Sequence, residues 1–138
     1  NQGRVWLGGD LSVRPQGWGG LGRRMQRAFA EAWREGMHRV VLFGSDCPGL
    51  APRHLLAACQ ALAGRDVVLG PARDGGYYLV GLGRPVTGLF RGMPWGQPSV
   101  LARTRQRICD QGLTLALLEE LADIDRPADL VHLPAGWR

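Results

Sequence analysis

Four consecutive apolar residues, Val-Val-Leu-Phe at 40–43, constrain the fold of this chain more than any other segment. A run without polar alternation is typical of a strand that is buried on both faces of a sheet. Apolar residues at helical spacing precede it and predict an amphipathic helix over about 21–35, which Gly36 ends as a C-terminal cap. A second helix, over about 52–62, begins with a proline in its first turn. A buried strand between two helices predicts a sheet with helices on both faces.

Further apolar runs and helical patterns alternate along the rest of the chain. The predicted strands are residues 4–7, 40–43, 66–69, 77–80 and 113–118, and the predicted helices are 21–35, 52–62, 98–109 and 125–130. This alternation predicts an α/β fold with three layers, in which a mixed, mostly parallel sheet lies between helices. The interval between Leu69 and Tyr77 is too short for a helical crossover, so we expect those two strands to be antiparallel or merely adjacent.

The composition indicates a single domain. The chain has 138 residues and a net charge of +5, and all 17 of its basic residues are Arg. These arginines are scattered or lie on predicted helices, which favours solvated helix faces over a nucleic-acid surface. No apolar run is long enough to span a bilayer, and we expect a cytoplasmic protein. The three cysteines have no metal-ligand spacing and predict neither a disulfide framework nor a zinc site.

Asp46 follows the 40–43 strand directly. In open α/β sheets, ligands bind beyond the carboxyl ends of the strands. Mg²⁺ usually takes one or two carboxylates and completes its octahedron with water and phosphate oxygens, which makes Asp46 a candidate metal ligand. The same carboxylate could instead cap the helix that follows. The spacing leaves both interpretations open.

Asp74 stands beside Gly75 and Gly76, in a loop that leads into the strand at Tyr77. Adjacent glycines let a backbone approach a ligand closely, and Asp74 could receive a sugar hydroxyl or an acceptor proton. The alternative is an Asp-Gly turn that only joins two strands. Taken alone, the pattern favours the turn.

Three more segments carry weaker signals. The glycine-rich loop at 16–22 opens a helix, where backbone N–H groups can surround a phosphate, but it is neither a dinucleotide fingerprint nor a P-loop. Asp125 is placed to cap a short helix, a role that does not exclude metal binding. Trp95 could form a wall for a sugar or an acceptor, although packing is the commoner role for such a residue. No catalytic role is predicted for the isolated histidines His38, His54 and His132.

Five segments occur in a distinctive order between about 15 and 133: Q-G-W-G-G-L-G-R-R-M, V-V-L-F-G-S-D-C-P-G-L, D-V-V-L-G-P-A-R-D-G-G-Y-Y-L-V-G-L, L-F-R-G-M-P-W and D-I-D-R-P-A-D-L. Together they resemble a bacterial family of GT-A-type glycosyltransferases, which is associated with radical-SAM and selenodomain proteins and falls in the nucleotide-diphosphosugar transferase superfamily. The resemblance implies a GT-A-like three-layer fold and a transferase that depends on Mg²⁺ or Mn²⁺. That enzyme would use a nucleotide-diphosphate sugar in glycosyl transfer, or would form one from an NTP by nucleotidyl transfer. A small-molecule acceptor is implied, and a homo-oligomer is compatible with it.

The resemblance also implies roles for individual residues. Asp46 and Asp125 fall at metal-binding positions, and Asp74 would position or deprotonate the acceptor. The residues that would contact the nucleoside are Gln16, Gly20, Leu21, Gly22 and Arg23. The residues that would face the sugar or the acceptor are Gly75, Gly76, Tyr77 and Trp95.

The sequence departs from that family pattern at three points. Gly20 stands where an acidic residue is usual, and Gly96 and Gln97 stand where small hydroxyl residues usually follow Pro-Trp. The basic, glycine-containing loop with which the family usually begins has no counterpart, so we expect the chain to lack the first βα unit. Two functional classes remain: an active transferase, and a non-catalytic GT-A remnant that binds a ligand or a partner.

Overall fold

The structure is a computed structural model that describes residues 20–44, 49–121 and, for the backbone alone, 130–134. Its strands are β1 (Val40–Gly44), β2 (Val67–Pro71), β3 (Tyr77–Leu82), β4 (Leu115–Leu117) and β5 (Leu130–Pro134). Its helices are α1 (Leu21–Arg34), α2 (Pro52–Ala61) and α3 (Val100–Asp110). None of these described helices has the length and the apolar content that crossing a membrane requires. The predicted strand at 4–7 lies outside the described residues.

The five described strands form one mixed sheet in the order β4-β2-β3-β1-β5. β3 pairs antiparallel with both β1 and β2, β1 pairs antiparallel with β5, and β2 pairs parallel with β4. The prediction of an α/β fold with a mixed sheet is therefore confirmed. Parallel pairs are fewer than predicted, because β3 lies between β1 and β2 and makes both of those pairings antiparallel. The interval between Leu69 and Tyr77 had already indicated such a short connection.

Alternate residues of β1 face two separate cores. Val40 and Leu42 lie in a core to which α1 and α3 contribute, whereas Val41 and Phe43 lie in a second core that packs against α2. Helices therefore cover both faces of the sheet, which confirms the predicted three layers. The continuous apolar run follows from this arrangement, since neither face of the strand meets water.

Gly36 stops helix α1 just after its last residue, Arg34, as the sequence predicts. Gly36 has a φ of +90°, and its N–H donates to the carbonyl of Trp33 at 3.0 Å. The N–H of Met37 donates to the carbonyl of Ala32, also at 3.0 Å, which completes a Schellman motif. Only the short link 35–39 joins α1 to β1, so the helix and the strand run in opposite directions. The N-terminus of α1 therefore lies toward the carboxyl end of β1.

The end of the chain differs from the sequence prediction. A helix was expected over 125–130, but Leu130 begins strand β5, and residues 125–129 lie outside the described part. Phe43 of β1 pairs with Val131, so the neighbouring strand supplies the backbone hydrogen bonds that a helix would have made internally. Of the predicted helix, only its last residue is described, and that residue lies in a strand.

Asp66 and Thr114 exchange hydrogen bonds between side chain and backbone, and these bonds join β2 to β4 where the two strands begin. The N–H of Asp66 donates to the hydroxyl of Thr114, and the N–H of Thr114 donates to Oδ2 of Asp66, both at 2.9 Å. The Thr114 hydroxyl donates to the same carboxylate oxygen at 3.2 Å. The bond from the Thr114 N–H holds the pKa of Asp66 below its ordinary value, and Arg84 at 3.4 Å contributes as well.

We expect Thr114→Val to lower the free energy of unfolding by about 1 kcal/mol, because the change keeps the shape of the side chain and removes both hydroxyl hydrogen bonds. Urea denaturation at neutral pH measures this difference. Thr87→Val is the matched control, since the Thr87 hydroxyl bonds to no described residue. Equal losses in the two variants would show that the Asp66–Thr114 pair does not stabilise the sheet.

The lowered pKa of Asp66 predicts a dependence of stability on pH. The unfolded chain binds a proton at this carboxyl more readily than the folded chain does, so the stabilisation is complete above the unfolded-state pKa of about 4. It is lost as the pH falls through the lower folded-state pKa. We therefore expect the stability difference between the wild type and Asp66→Asn to be largest near pH 6 and to shrink toward pH 2–3. Denaturation curves across that range would contradict this if the difference stayed constant.

Candidate functional site

The candidate site lies at the end of the sheet where β1 ends and β3 begins. The register pairs Phe43 with Leu79 and Gly44 with Leu130. β1 therefore ends at the same end of the sheet where β3 and β5 begin. Ligands in α/β sheets bind beyond the carboxyl ends of strands, and Asp46 follows β1 by two residues at this end.

The predicted metal ligands Asp46 and Asp125 lie outside the described residues, but the chain around both of them is described. Gly44 stands two residues before Asp46. It pairs with Leu130, which stands five residues after Asp125. The residue before segment 45–48 and the residue after segment 122–129 are therefore paired on neighbouring strands.

The other ends of these two segments also meet. Gly49 stands three residues after Asp46, and Leu121 stands four residues before Asp125. A Cβ atom at Gly49 would lie 3.7 Å from Cδ2 of Leu121. The residues that flank both segments are thus neighbours at each of the two ends. Among the described residues, no group of three or more His, Cys, Asp or Glu side chains could hold a metal.

The N-cap of α2 shows whether Asp46 caps this helix, which was the alternative to binding a metal. The N-cap residue is Ala51, five positions after Asp46. The N–H of Ala51 donates to Nδ1 of His54 at 2.9 Å, and the N–H of His54 donates back to the carbonyl of Ala51 at 2.9 Å. His54 thus takes the place that Glu or Gln takes in a capping box. Helix α2 does not use Asp46 as its N-cap residue.

His54 is buried, and a carboxylate faces its second nitrogen. Because Nδ1 accepts the bond from Ala51, the proton of the neutral ring lies on Nε2. Nε2 is 3.2 Å from Oε1 of Glu119, but it is not aligned for a hydrogen bond, so the contact is electrostatic. Arg53 contacts the same oxygen at 2.6 Å and is the main cause of the lowered pKa of Glu119. Sequence reasoning missed this structural role, although a His at the third position of a helix that begins with Pro was a usable signal.

Asp74 closes the turn between β2 and β3. Its Oδ1 accepts a hydrogen bond from the N–H of Gly76 at 3.0 Å, and the N–H of Ala72 donates to the Gly76 carbonyl at 2.9 Å. Gly75 has a φ of +95°, a conformation that favours glycine. The interpretation as an Asp-Gly turn is therefore confirmed. The carboxylate is exposed, and its Oδ2 has no hydrogen-bond partner among the described residues, so the turn does not exclude a chemical role.

Gly75 fixes this turn against the start of α3. A Cβ atom at Gly75 would collide with the carbonyl of Pro98. The N–H of Leu101 donates to the carbonyl of Gly75 at 2.8 Å. The resemblance implies that Gly75 faces the sugar or the acceptor, but packing alone accounts for a glycine here. Gly76 has more room, since the atom nearest to a Cβ there would be Oδ1 of Asp74 at 3.4 Å.

Tyr77 and Trp95, two of the predicted substrate residues, contact each other. Their rings meet edge to face with centroids 6.1 Å apart and an interplanar angle of 76°. The Thr104 hydroxyl donates to the phenol oxygen of Tyr77 at 3.4 Å. Burial raises the pKa of Tyr77, so the phenol stays protonated in the neutral range and does not act as a base. Trp95 lines the cavity described below, whereas Tyr77 packs behind it against the core.

The first turn of α1 packs on the loop that contains Trp95. A Cβ atom at Gly22 would lie 2.8 Å from the carbonyl oxygen of Phe90 and 3.2 Å from Nε1 of Trp95. Any side chain at this position would push the helix and the loop apart. Leu21 was predicted to contact the nucleoside, but its side chain is buried in the core with α1 and α3. Leu21 can therefore offer a ligand only its backbone.

A cavity of about 560 Å³ lies between the first turns of α1 and the loop 87–95. Gly22 and Arg23, predicted to contact the nucleoside, and Trp95, predicted to contact the substrate, line the same cavity. Gly20 stands just before them as the N-cap of α1, and Gln16 lies outside the described residues. The lining residues are Gly22, Arg23, Gln26, Thr87, Gly88, Phe90, Arg91, Gly92, Met93 and Trp95.

Arg91 and Gln26 line this cavity but were not singled out from the sequence. Gln26 follows Arg23 by three positions, so the two side chains share a face of α1. Arg91 is the only basic residue in the segment L-F-R-G-M-P-W. Its charge was a usable signal, but the contact between that segment and α1 was not visible from spacing.

Comparisons with known proteins agree with this fold. The profile of a family described as an uncharacterised protein conserved in bacteria (DUF2064) matches residues 1–97. The crystal structure of a "putative nucleotide-diphospho-sugar transferase" from Desulfovibrio desulfuricans G20 has a TM-score of 0.72 and 36% sequence identity to this chain. The match covers 76% of this chain and 46% of that one, so this chain spans about half the length of its neighbour. Among curated proteins, none matches in sequence. The chain therefore belongs to the bacterial family DUF2064 and shares the fold of the Desulfovibrio protein.

Proposed function

We propose that this protein is a transferase that depends on Mg²⁺ or Mn²⁺ and acts on a nucleotide-diphosphate sugar, or forms one from an NTP. The observation that carries the proposal is that the described residues flanking two Asp-bearing segments are neighbours at one end of the sheet. Gly44 pairs with Leu130 at one end of these segments, and Gly49 meets Leu121 at the other. The similarity to the Desulfovibrio structure supports the substrate class.

Asp46 and Asp125 would hold the metal ion, since carboxylate oxygens are the ligands that Mg²⁺ and Mn²⁺ prefer. A bound divalent cation neutralises negative charge on a diphosphate as that group leaves. Metal binding also explains Asp46 better than capping does, because Ala51 is the N-cap of α2 and His54 completes the cap.

Asp74 would orient the acceptor and accept its proton. The turn uses only Oδ1, in the bond from Gly76, so Oδ2 is available to an acceptor hydroxyl. The carboxylate is held by a turn whose neighbour Gly75 is fixed against Pro98, and this limits its movement. A base that is held in position in this way contributes to catalysis by general base chemistry and by orientation. The Trp95 ring, which lines the cavity beside α1, would restrict where the acceptor binds.

The nature of the released product separates the two transfer reactions. In glycosyl transfer the acceptor oxygen bonds to the anomeric carbon, and a nucleoside diphosphate leaves with the bonding electrons. In nucleotidyl transfer the acceptor bonds to the α-phosphorus, and pyrophosphate leaves. Binding of nucleotide and metal without either product would instead support the non-catalytic alternative.

We expect Asp46→Asn and Asp125→Asn to weaken the Mg²⁺-dependent binding of a nucleotide at least tenfold, because each change removes a charged metal ligand. Calorimetry with UDP-glucose, GDP-mannose and NTPs, with and without Mg²⁺ or Mn²⁺, measures the effect. Asp110→Asn is the matched control, since Asp110 lies at the end of α3 and its carboxylate accepts a bond from only Gln106 among the described residues. Metal-dependent binding that survives both site substitutions would refute the assignment.

We expect Asp74→Asn to lower kcat by about 10²–10³-fold and to change KM little, because the amide cannot accept the proton. The amide oxygen can still accept the bond from Gly76, so the turn is retained. The assay follows product release by the intact natural protein, and Asp110→Asn again serves as the control. A variant with wild-type kcat would show that Asp74 acts only in the turn.

A further inference from the structure

The cavity between α1 and the loop 87–95 is positively charged. Arg23 and Arg91 line it, and none of its other lining residues is acidic. Neither arginine forms an ion pair with a residue in the described part of the chain. Two guanidinium groups at one concave surface, without an acidic partner in the described part of the chain, favour an anionic ligand, because guanidinium binds phosphate and carboxylate in bidentate geometry.

The loop that carries Arg91 is held in place by α3. Nη1 of Arg107 donates to the carbonyls of Gly88 at 3.3 Å and of Leu89 at 3.0 Å. Nε2 of Gln111 donates to the carbonyl of Thr87 at 3.2 Å. On its other side the loop packs closely against Gly22. The wall of the cavity is therefore built without a ligand, which lowers the entropic cost of binding one.

The size and the remaining lining groups indicate a small molecule. About 560 Å³ falls in the range of ordinary small-molecule sites. The Trp95 ring provides an apolar surface, and Gln26 and Thr87 provide polar groups for hydroxyl or amide partners. A phosphorylated sugar or nucleoside would complement these groups, because it has a charged end, an apolar face and a few hydrogen-bonding groups.

We propose that this cavity binds the phosphate monoester of a small molecule through Arg23 and Arg91, and that this binding needs no metal ion. The site differs from the proposed metal site in using guanidinium groups rather than carboxylates and a cation. Arg91 and Gln26 are thereby added to the ligand-binding residues. The phosphate belongs either to a nucleotide or to a phosphorylated acceptor, which share this chemistry.

Calorimetry on the intact protein in the presence of EDTA tests the proposal. The probes are UMP, GMP and glucose 1-phosphate, each compared with its neutral counterpart, uridine, guanosine or glucose. We expect at least one phosphate to bind tenfold or more tightly than its neutral counterpart. Arg23→Gln and Arg91→Gln should each weaken that binding about tenfold, as expected for the loss of a charge-assisted hydrogen bond.

Arg34→Gln is the matched control, because it makes the same change of charge at the opposite end of α1 and should alter the affinity less than twofold. Binding of the nucleoside monophosphates alone assigns the cavity to the nucleotide, and binding of glucose 1-phosphate alone assigns it to the acceptor. Absence of phosphate binding in EDTA, or binding that survives both cavity substitutions, overturns the proposal. Since EDTA removes divalent cations, either result is independent of the metal-dependent binding in the proposed function.

Discussion

The position of β3 between β1 and β2 is the constraint on which the rest of the structure depends. β3 hydrogen-bonds to both neighbours and is buried on both faces, so its register fixes where each neighbouring strand ends. Because it runs against β1, the start of β3 lies beside the end of β1, where Leu79 pairs with Phe43. The tight Asp74 turn therefore lies at the end of the sheet where β1 ends, two residues before Asp46. A helical crossover between β2 and β3 would have started β3 at the opposite end of the sheet.

Much of this fold could be predicted from local sequence because burial leaves a direct pattern. The run at 40–43 is apolar throughout since β1 faces two cores, and α1 shows one apolar stripe since it faces one core. The local sequence could not show that most strand pairs would be antiparallel rather than parallel. It depends on which strands become neighbours, and that is decided by packing over long range. Leu130 illustrates the same limit, because the signal for a helix near it was local and its strand partner, Gly44, lies far away in sequence.

The candidate site was predicted where a residue's role depends on its own chain neighbours, and missed where the role depends on contact with another segment. The Asp74 turn follows from the adjacent glycines and was predicted. His54 as part of a helix cap and Arg91 as a cavity residue were missed, since one required the geometry of α2 and the other the approach of α1 to the loop. Leu21 shows a further limit, because a position carried over from a resemblance does not say whether the side chain or only the backbone is open to a ligand.

The described residues beside the two proposed sites pack against different cores of the sheet. Leu121, beside the Asp-bearing segments, belongs to the core with α2, whereas Trp95, beside the arginines, packs on the core with α1 and α3. Carboxylates and guanidinium groups on one face would pair with each other and neutralise the charge that an anionic ligand requires. The Asp74 turn joins the two sides, since the N–H of Arg73 donates to the carbonyl of Leu121 at 2.9 Å and Gly75 packs on Pro98. The turn that carries Asp74 is thus tied by direct contacts to the residues that flank both proposed sites.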